Sequence, residues 1–269
     1  MKINIFKGLI QLNIFKQFIK SLYSPKTMAS FRFQGIGKTI LFVFFLVLIT
    51  SIPKFVNIGT DVTNFYKSAQ EIFESDVPDF YIEEDRFHAD VQEPFVMKES
   101  GMTIIFDPEN ELSLSEIKAY QEVLVFQQDE ALLVYQGTVE YIPFSDFQGA
   151  YIGKKEVVSF LDSMEGTLPV WITLIIIASY VFFSATKFIQ VTILGLIGLV
   201  LKNALQRTNL NFRHTWIMSA YAVTIPSVFF AIMEALSIPV PGAVWLNFAI
   251  AVFVLFLIIK EVKIRKIQE

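Results

Sequence analysis

One short segment of the chain resembles the end of a phosphate-binding loop. Residues 35–39 are Gly-Ile-Gly-Lys-Thr, in which the lysine could reach a phosphate and the threonine could bind magnesium. Such a loop needs another glycine five positions before Gly37, and Arg32 stands there. Lys38 also leads into an apolar run rather than into a soluble helix. The pattern therefore does not predict a nucleotide site.

Two acidic segments carry oxygen ligands of the kind that divalent cations prefer. Residues 83–90 hold four acidic side chains and a histidine, and residues 107–111 resemble a calcium loop that lacks its turn glycine. Nothing in either spacing brings the oxygens together, so we expect solvated acidic surface in both. Glu83 and Asp85 could form a carboxylate pair for glycoside hydrolysis. Such pairs are unavoidable in so acidic a region.

Few other residues could carry chemistry. The chain has no cysteine, and its two histidines, His88 and His214, fall on opposite sides of the predicted membrane. We therefore expect no zinc site, no catalytic residue and no cofactor. Glu234 is the one acidic residue in a predicted span, which makes it the candidate for ion or proton coupling, with an interfacial packing role as the alternative. Lys187 is predicted to anchor its helix at the inner boundary.

The charge distribution shows which elements must position these residues. Hydrophobic residues make up 54% of the 269 positions, and the mean hydropathy is +0.52. Residues 54–165 hold 23 of the 26 acidic residues but 7 of the 22 basic ones, whereas the first 38 residues hold seven basic and no acidic residues. Acidic surfaces repel nucleic acid. The sequence therefore predicts a membrane protein that carries one acidic, water-facing domain.

Four apolar runs predict four transmembrane helices. The second run covers residues 168–201, and its 34 residues could cross the membrane once or twice. Two crossings would place seven later basic residues outside, against the positive-inside rule. One long helix is therefore expected, with both termini cytoplasmic and the acidic domain outside. The predicted segments are 1–32 (cytoplasmic or interfacial helix), 33–56 (first span), 57–166 (extracytoplasmic acidic domain), 167–201 (second span), 202–214 (basic cytoplasmic loop), 215–236 (third span, kinked near Pro226), 243–260 (fourth span) and 261–269 (cytoplasmic tail).

The segment before the first span has the pattern of a basic amphipathic helix. Its polar residues recur at spacings of three and four up to residue 24, and apolar residues fill the opposite face. Such a helix suits the anionic inner leaflet, and packing against the cytoplasmic ends of the spans is the alternative. The predicted membrane-surface cations are Lys7, Lys16, Lys20, Lys26 and Arg32.

Residues 57–166 predict a small α+β domain. Helices are expected over 63–75 and 154–164, and a capping box at Ser113 and Glu116 should open a short helix. The strands are predicted at 80–83, 102–106, 123–126, 132–135 and 138–142, with a hairpin turn at 127–131. The expected fold class is thus an α-helical polytopic membrane protein of four spans with a small extracytoplasmic α+β domain.

Several membrane-proximal segments resemble a known family. These are residues 15–26 (Phe-Lys-Gln-Phe-Ile-Lys-Ser-Leu-Tyr-Ser-Pro-Lys), 31–38 (Phe-Arg-Phe-Gln-Gly-Ile-Gly-Lys), 220–226 (Ala-Tyr-Ala-Val-Thr-Ile-Pro) and 233–236 (Met-Glu-Ala-Leu). The chain is similar over nearly its whole length to the "domain of unknown function 1189" membrane proteins of Gram-positive bacteria. Some members are labelled maltodextrin utilization protein. The resemblance implies a bacterial cell membrane and a link to sugar uptake, and it supplies no catalytic residues.

Three functions follow from these observations. We expect a non-enzymatic accessory or sensory membrane protein whose outer domain binds a ligand or partner, because a domain of useful size carries no catalytic pattern. Its partners would be the lipid bilayer and a membrane protein or a second copy of the chain, with no nucleic acid. A transporter component that uses Glu234 is the alternative. A membrane enzyme acting on lipid or cell-wall substrates is the third.

Overall fold

The chain folds into two compact units. The computed structural model describes residues 12–73, 77–99, 102–120, 122–135, 138–147 and 149–263. The membrane unit is formed by the described residues up to Gly59 and from Thr173 onward, and the α/β unit by those from Thr60 to Ile172. Lys7 lies outside the described residues.

The helices and strands follow one another in a simple order. The helices are α1 (Ile14–Ser21), α2 (Pro25–Ser30), α3 (Ile36–Glu71), α4 (Leu114–Ile117), α5 (Lys154–Glu165), α6 (Leu168–Ala204), α7 (Phe212–Ala222), α8 (Thr224–Ala235) and α9 (Ala243–Lys260). The strands are β1 (Phe80–Glu83), β2 (Arg86–Ala89), β3 (Phe95–Glu99), β4 (Met102–Asp107), β5 (Glu122–Gln127), β6 (Glu130–Tyr135), β7 (Thr138–Pro143) and β8 (Ile152–Gly153).

Four helical segments among the described residues are long and apolar enough to cross a membrane, which confirms the predicted number. They are α3, α6, α7 together with α8, and α9. The second apolar run forms one continuous helix of 37 residues, as expected. The third span is interrupted at Val223, three residues before Pro226. Pro226 lies in the first turn of α8, where a missing N–H leaves no intrahelical bond unmade.

The membrane unit has a core in which helices approach one another closely. Gly198 of α6 faces Thr215 of α7 so tightly that an added Cβ would lie 2.8 Å from the Thr215 Cβ. At Gly195, one turn earlier, an added Cβ would lie 3.3 Å from the Trp216 Cα. The two glycines thus let α6 and α7 approach each other closely.

One end of the membrane unit collects its basic segments. Arg207 donates a hydrogen bond to the carbonyl of Lys260 at 3.1 Å, and Arg213 donates to the carbonyl of Gln34 at 3.3 Å. These contacts bring together the segment before α3, the loop between α6 and α7, and the end of α9. The chain therefore makes an even number of passes between the two ends of this bundle.

The described residues of the α/β unit form two sheets. One has the order β2-β1-β8 and is antiparallel, and the other has the order β3-β4-β5-β6-β7. Among the described strands of the larger sheet, only β4 and β5 pair in parallel, because the chain crosses between them through α4. The predicted capping box at the start of α4 is present: the Ser113 hydroxyl accepts from the Glu116 N–H, and the Glu116 carboxylate accepts from the Ser113 N–H.

Alternation along the strands gives the larger sheet two buried faces. On β4, Ile105 packs with Val125 and Ile117, while Phe106 faces the opposite way. Phe106 joins a cluster of buried phenylalanines that links the two sheets, consisting of Phe80, Phe87, Phe106 and Phe144. Aromatic rings of this size dominate the core energetics of a small domain.

The predicted strands all form. The described residues also form three strands that the sequence did not predict, β2, β3 and β8. Residues 83–90, predicted to be solvated acidic surface, form the end of a β1–β2 hairpin whose turn residues Glu84 and Asp85 have φ of 49° and 63°. The sequence did not predict this hairpin, because the acidic residues in and around its turn have poor strand propensity.

Candidate functional site

The membrane unit contains a large cleft between its helices. The cleft has a volume of about 910 Å³ and adjoins a smaller space of about 250 Å³ with which it shares several lining residues. Ligand pockets in proteins commonly range from about 300 to 1,000 Å³. Most of the wall of the larger cleft is apolar, and the polar side chains that line it are Lys54, Thr186, Lys187, Gln190, Glu234 and Asn247. The smaller space is also lined by Thr50, Ser51 and Ser227.

Lys187 lies at the centre of a polar chain that connects three helices. Its Nζ donates to the Gln190 Oε1 at 3.0 Å on α6 and to the Ser227 Oγ at 3.1 Å on α8. Gln190 in turn donates from Nε2 to the Asn247 Oδ1 of α9 at 2.8 Å. The contact between Lys187 and Gln190 could be predicted from the sequence, because residues three apart lie on the same face of a helix.

The prediction that Lys187 marks the inner boundary is wrong. Its partner helix α9 begins at Ala243 and ends at Lys260, so Asn247 lies 4 residues from the beginning and 13 from the end. At 1.5 Å per residue, the polar chain lies roughly 20 Å from the end where the basic segments gather. Lys187 is thus inside the bundle, turned toward other helices.

Glu234, the acidic candidate from the sequence, also lines the cleft. Its Oε1 accepts a hydrogen bond from the Asn57 Nδ2 of α3 at 3.2 Å. Ser227 and Glu234 are seven residues apart on α8, which corresponds to about 10 Å of helix rise. Among the described residues no carboxylate lies within 4.0 Å of the Lys187 ammonium, so Glu234 is not its ion-pair partner.

A second polar cluster joins the N-terminal helix to the spans. Gln17 of α1 is fully buried, and its Oε1 accepts from the Tyr221 hydroxyl at 2.5 Å. Gln34 donates from Nε2 to the same hydroxyl and to the Thr39 Oγ1, the latter at 2.9 Å. The sequence predicted the helix but not this contact, because a buried glutamine has no periodic signal.

The opposite face of α1 is apolar and exposed. Phe15 and Ile19 are 61% and 53% exposed, although Phe15 touches the ring of Phe45. The helix is therefore packed on the spans through Gln17, as one alternative from the sequence proposed, and it presents an apolar face that lipid could cover.

The predicted membrane-surface cations occupy different environments. Lys16 and Lys26 are exposed, and Lys20 is half-buried with its ammonium 5.1 Å from the Tyr23 ring centroid. Arg32 is also half-buried: it donates to the carbonyl of Ala29, and burial lowers the pKa of its guanidinium. All four described cations belong to the segment that packs beside α3.

The acidic segment around Asp107 is structural. Asp107 is 1% exposed, and its carboxylate accepts from the N–H groups of Glu111 and Leu112 at 2.8 and 3.0 Å and from the Gln127 amide at 2.9 Å. The prediction of a solvated surface is wrong for this residue, because its carboxylate is buried and binds backbone N–H groups of the loop that follows β4. No group of three or more His, Cys, Asp or Glu within the described ranges could hold a metal.

An aromatic row on the smaller sheet of the α/β unit was not predicted. The rings of Tyr81 and His88 stack with centroids 4.8 Å apart at 21°, and the rings of Tyr81 and Tyr151 lie 6.1 Å apart at 19°. All three side chains are exposed. Tyr81 and His88 lie on the face of β1 and β2 opposite to Phe80 and Phe87, and Tyr151 immediately precedes β8, which pairs with β1. The row therefore lies on the solvent-facing side of the smaller sheet.

His214, the second histidine, lies at the start of α7. Its Nδ1 accepts from the N–H of Asn211 at 3.4 Å, which completes the cap of that helix. Neither histidine belongs to a group of three or more His, Cys, Asp or Glu that could hold a metal among the described residues.

Comparison with known proteins gives one match. A family model described as "Protein of unknown function (DUF1189)" matches residues 15–259. No curated protein and no solved structure matches the chain.

Proposed function

We propose that this chain, which belongs to the DUF1189 family, is a non-enzymatic accessory or sensory membrane protein whose α/β unit lies outside the cell and binds a ligand or partner. The observation that carries the proposal is the row formed by Tyr81, His88 and Tyr151. Near-parallel exposed rings are costly to leave in water, and they suit a flat partner with an apolar face.

A saccharide is the ligand class that fits this row best. The apolar face of a pyranose ring stacks on a flat aromatic ring, and two rings 6.1 Å apart could contact successive sugar units. The acidic surface around the row favours a neutral ligand over an anion. The family resemblance to proteins labelled for maltodextrin utilization points to the same class.

Titration of the purified full-length chain in lipid nanodiscs with maltotetraose tests this assignment. We expect saturable binding that weakens about tenfold or more in the double variant Tyr81→Ala/Tyr151→Ala, because both stacking surfaces are removed. Tyr141→Ala is the matched control, since Tyr141 is 50% exposed on the other sheet. Equal binding by both variants would disprove the role of the row.

A protein partner at the same row would give a different result. A photo-crosslinking amino acid at position 88 should then capture one reproducible membrane protein from native membranes, whereas the same amino acid at position 141 should not. Absence of both maltotetraose binding and a position-specific crosslink would remove the proposal.

The proposed orientation can be measured directly because the chain contains no cysteine. The gathering of basic segments at one end of the membrane unit supports a cytoplasmic location for that end. We expect Glu140→Cys to react in intact cells with a membrane-impermeant maleimide, and Asn209→Cys to react after the membrane is opened. Both positions are exposed. The reverse pattern would invert the topology.

A further inference from the structure

The cleft of the membrane unit contains a cation without a counter-ion. The Lys187 ammonium carries three N–H donors, of which two are used by Gln190 and Ser227. Both partners are neutral, and no described carboxylate lies within 4.0 Å. A charge inside a membrane bundle is expensive unless an opposite charge approaches it. The remaining N–H therefore favours an anionic group.

The wall of the cleft indicates what that anion is attached to. Ile193 and Phe248 line it on two facing helices, α6 and α9. Ile189 and Trp245, which also line it, are 61% and 80% exposed. The cleft thus opens sideways between α6 and α9, toward the hydrocarbon that surrounds a spanning bundle. A hydrocarbon chain can enter by this route and lie along an apolar wall.

From these two observations we propose that the cleft binds an amphipathic anion, with its carboxylate or phosphate on the Lys187 ammonium and its hydrocarbon chain between α6 and α9. Gln190 and Asn247 can adjust their amides to the same headgroup, because they continue the hydrogen-bonded chain from Lys187. This site belongs to the membrane unit and does not depend on the function proposed for the α/β unit.

Glu234 would act against such a ligand. Its carboxylate lines the same cleft and accepts a hydrogen bond from Asn57. Glu234 lies about 10 Å of helix rise from Ser227 on α8. Like charges across that distance repel weakly when water reaches the mouth. Removing this charge should therefore tighten binding of an anion by a few-fold, whereas removing the Lys187 charge should weaken it strongly.

Quenching of Trp245 by a brominated fatty acid provides a direct test. The full chain with Trp171→Phe and Trp216→Phe retains one tryptophan, Trp245, in the cleft wall. It is placed in nanodiscs of uncharged phosphatidylcholine and titrated with 9,10-dibromostearate. We expect saturable quenching, whereas the methyl ester of the same acid, which has no charge, should quench only in proportion to its concentration in the bilayer.

Variants in the same background test whether the charge of Lys187 binds the anion. Lys187→Met should weaken binding about tenfold or more, because it removes a charged hydrogen bond. Lys187→Arg should retain binding, Glu234→Gln should tighten it, and Lys26→Gln, which removes an exposed charge elsewhere, should leave it unchanged. Replacing a buried cation by methionine is expected to keep the fold, and thermal unfolding of each nanodisc sample checks that.

Several outcomes would overturn the proposal. It fails if the methyl ester binds as well as the acid, or if Lys187→Met binds like the parent chain. It also fails if acetate or inorganic phosphate displaces dibromostearate at equal concentration, because the site would then select a small anion rather than an amphiphile. Displacement by hexadecyl phosphate alone would support it.

Discussion

The two units of the molecule differ in how many polar side chains they bury. Among the described residues, the membrane unit buries eleven polar residues, whereas the α/β unit buries two, Thr103 and Asp107. Large apolar side chains are exposed all along α6 of the membrane unit, such as Phe182 at 64% and Val200 at 68%. Lipid solvates apolar groups as well as a protein core does, so helices in a bilayer gain little by hiding them and more by joining polar groups.

The same comparison separates the two candidate sites. In the α/β unit the exposed aromatic row interrupts a water-facing acidic surface, and in the membrane unit the uncompensated Lys187 interrupts an apolar one. Exposed aromatic rings are unfavourable in water, and a charge without a counter-ion is unfavourable in lipid. Each candidate site is therefore a feature that its surroundings disfavour unless a ligand covers it. Four predictions follow for the packing that supports them, from the largest effect to the smallest.

Truncation of the phenylalanine cluster should destabilise the α/β unit most. Phe106→Ala removes a ring that is 1% exposed and in edge-on contact with Phe80, Phe87 and Phe126. We expect a loss of about 3–5 kcal/mol in the free energy of unfolding, measured by urea denaturation of the full chain. Phe147→Ala, at an exposed ring, is the control. A small effect of Phe106→Ala would contradict a packed core between the sheets.

In the membrane unit, removing one polar atom should have a large effect instead. Tyr221→Phe deletes the hydroxyl that Gln17 and Gln34 share, which leaves two buried amide groups without that partner. Each such group costs about 1–3 kcal/mol. The midpoint of thermal unfolding in nanodiscs should fall markedly, and adding Gln17→Met should recover part of the loss. Tyr180→Phe removes a single bond, to the Phe44 carbonyl, and should change the midpoint little.

Adding a single methyl group between α6 and α7 should also reduce the stability of the membrane unit. Gly198→Ala places a Cβ 2.8 Å from the Thr215 Cβ, well inside the ordinary contact distance of about 3.5–4.0 Å. Overpacking of this kind costs about 1–3 kcal/mol. Gly37→Ala is the matched control, since nothing lies within 4 Å of its added Cβ. Equal thermal midpoints for the two variants would show that the helices can separate freely.

The smallest effect concerns pH at the capping box of α4. The hydroxyl and the N–H of Ser113 bind the Glu116 carboxylate and hold its pKa below the ordinary value of 4.5. A lowered folded-state pKa means that the stabilisation is present above the unfolded pKa and disappears as the pH falls through the folded one. Glu116→Gln should therefore reduce stability at pH 7, and its effect should decrease as the pH falls through the folded-state pKa, which lies below 4.5. A constant difference in urea midpoint between pH 7 and pH 3 would contradict this.

Elements with strong local signals could be predicted from the sequence. The four spans follow from long apolar runs, and β1 follows from alternating residues next to turn formers. The capping box required only Ser113 and Glu116 at the right spacing. In contrast, β8 has two residues and pairs with β1, about seventy positions earlier in the chain. Such a strand exists only because its partner is already in place, so no local pattern reveals it.

The candidate sites were harder to predict than the fold. Glu234 could be selected because an acidic residue in an apolar run is conspicuous. The structure places it in the wall of the cleft, and its role in ion or proton coupling stays a prediction. Lys187 was assigned to the wrong depth, because counting residues along α6 gives no information about which helices lie beside it. The aromatic row was missed because Tyr81 lies on β1, whereas Tyr151 immediately precedes β8, a strand that pairs with β1 across about 70 residues of sequence.

The sequence alone determined the class of the molecule: four apolar spans, one acidic domain and basic segments at one end. These properties depend on composition and periodicity, which each stretch of chain carries by itself. Only the tertiary structure decided that Lys187 meets Ser227 and that Gln17 meets Tyr221. Hydrogen bonds between helices are set by how the helices rotate and pack, and that depends on all of them together.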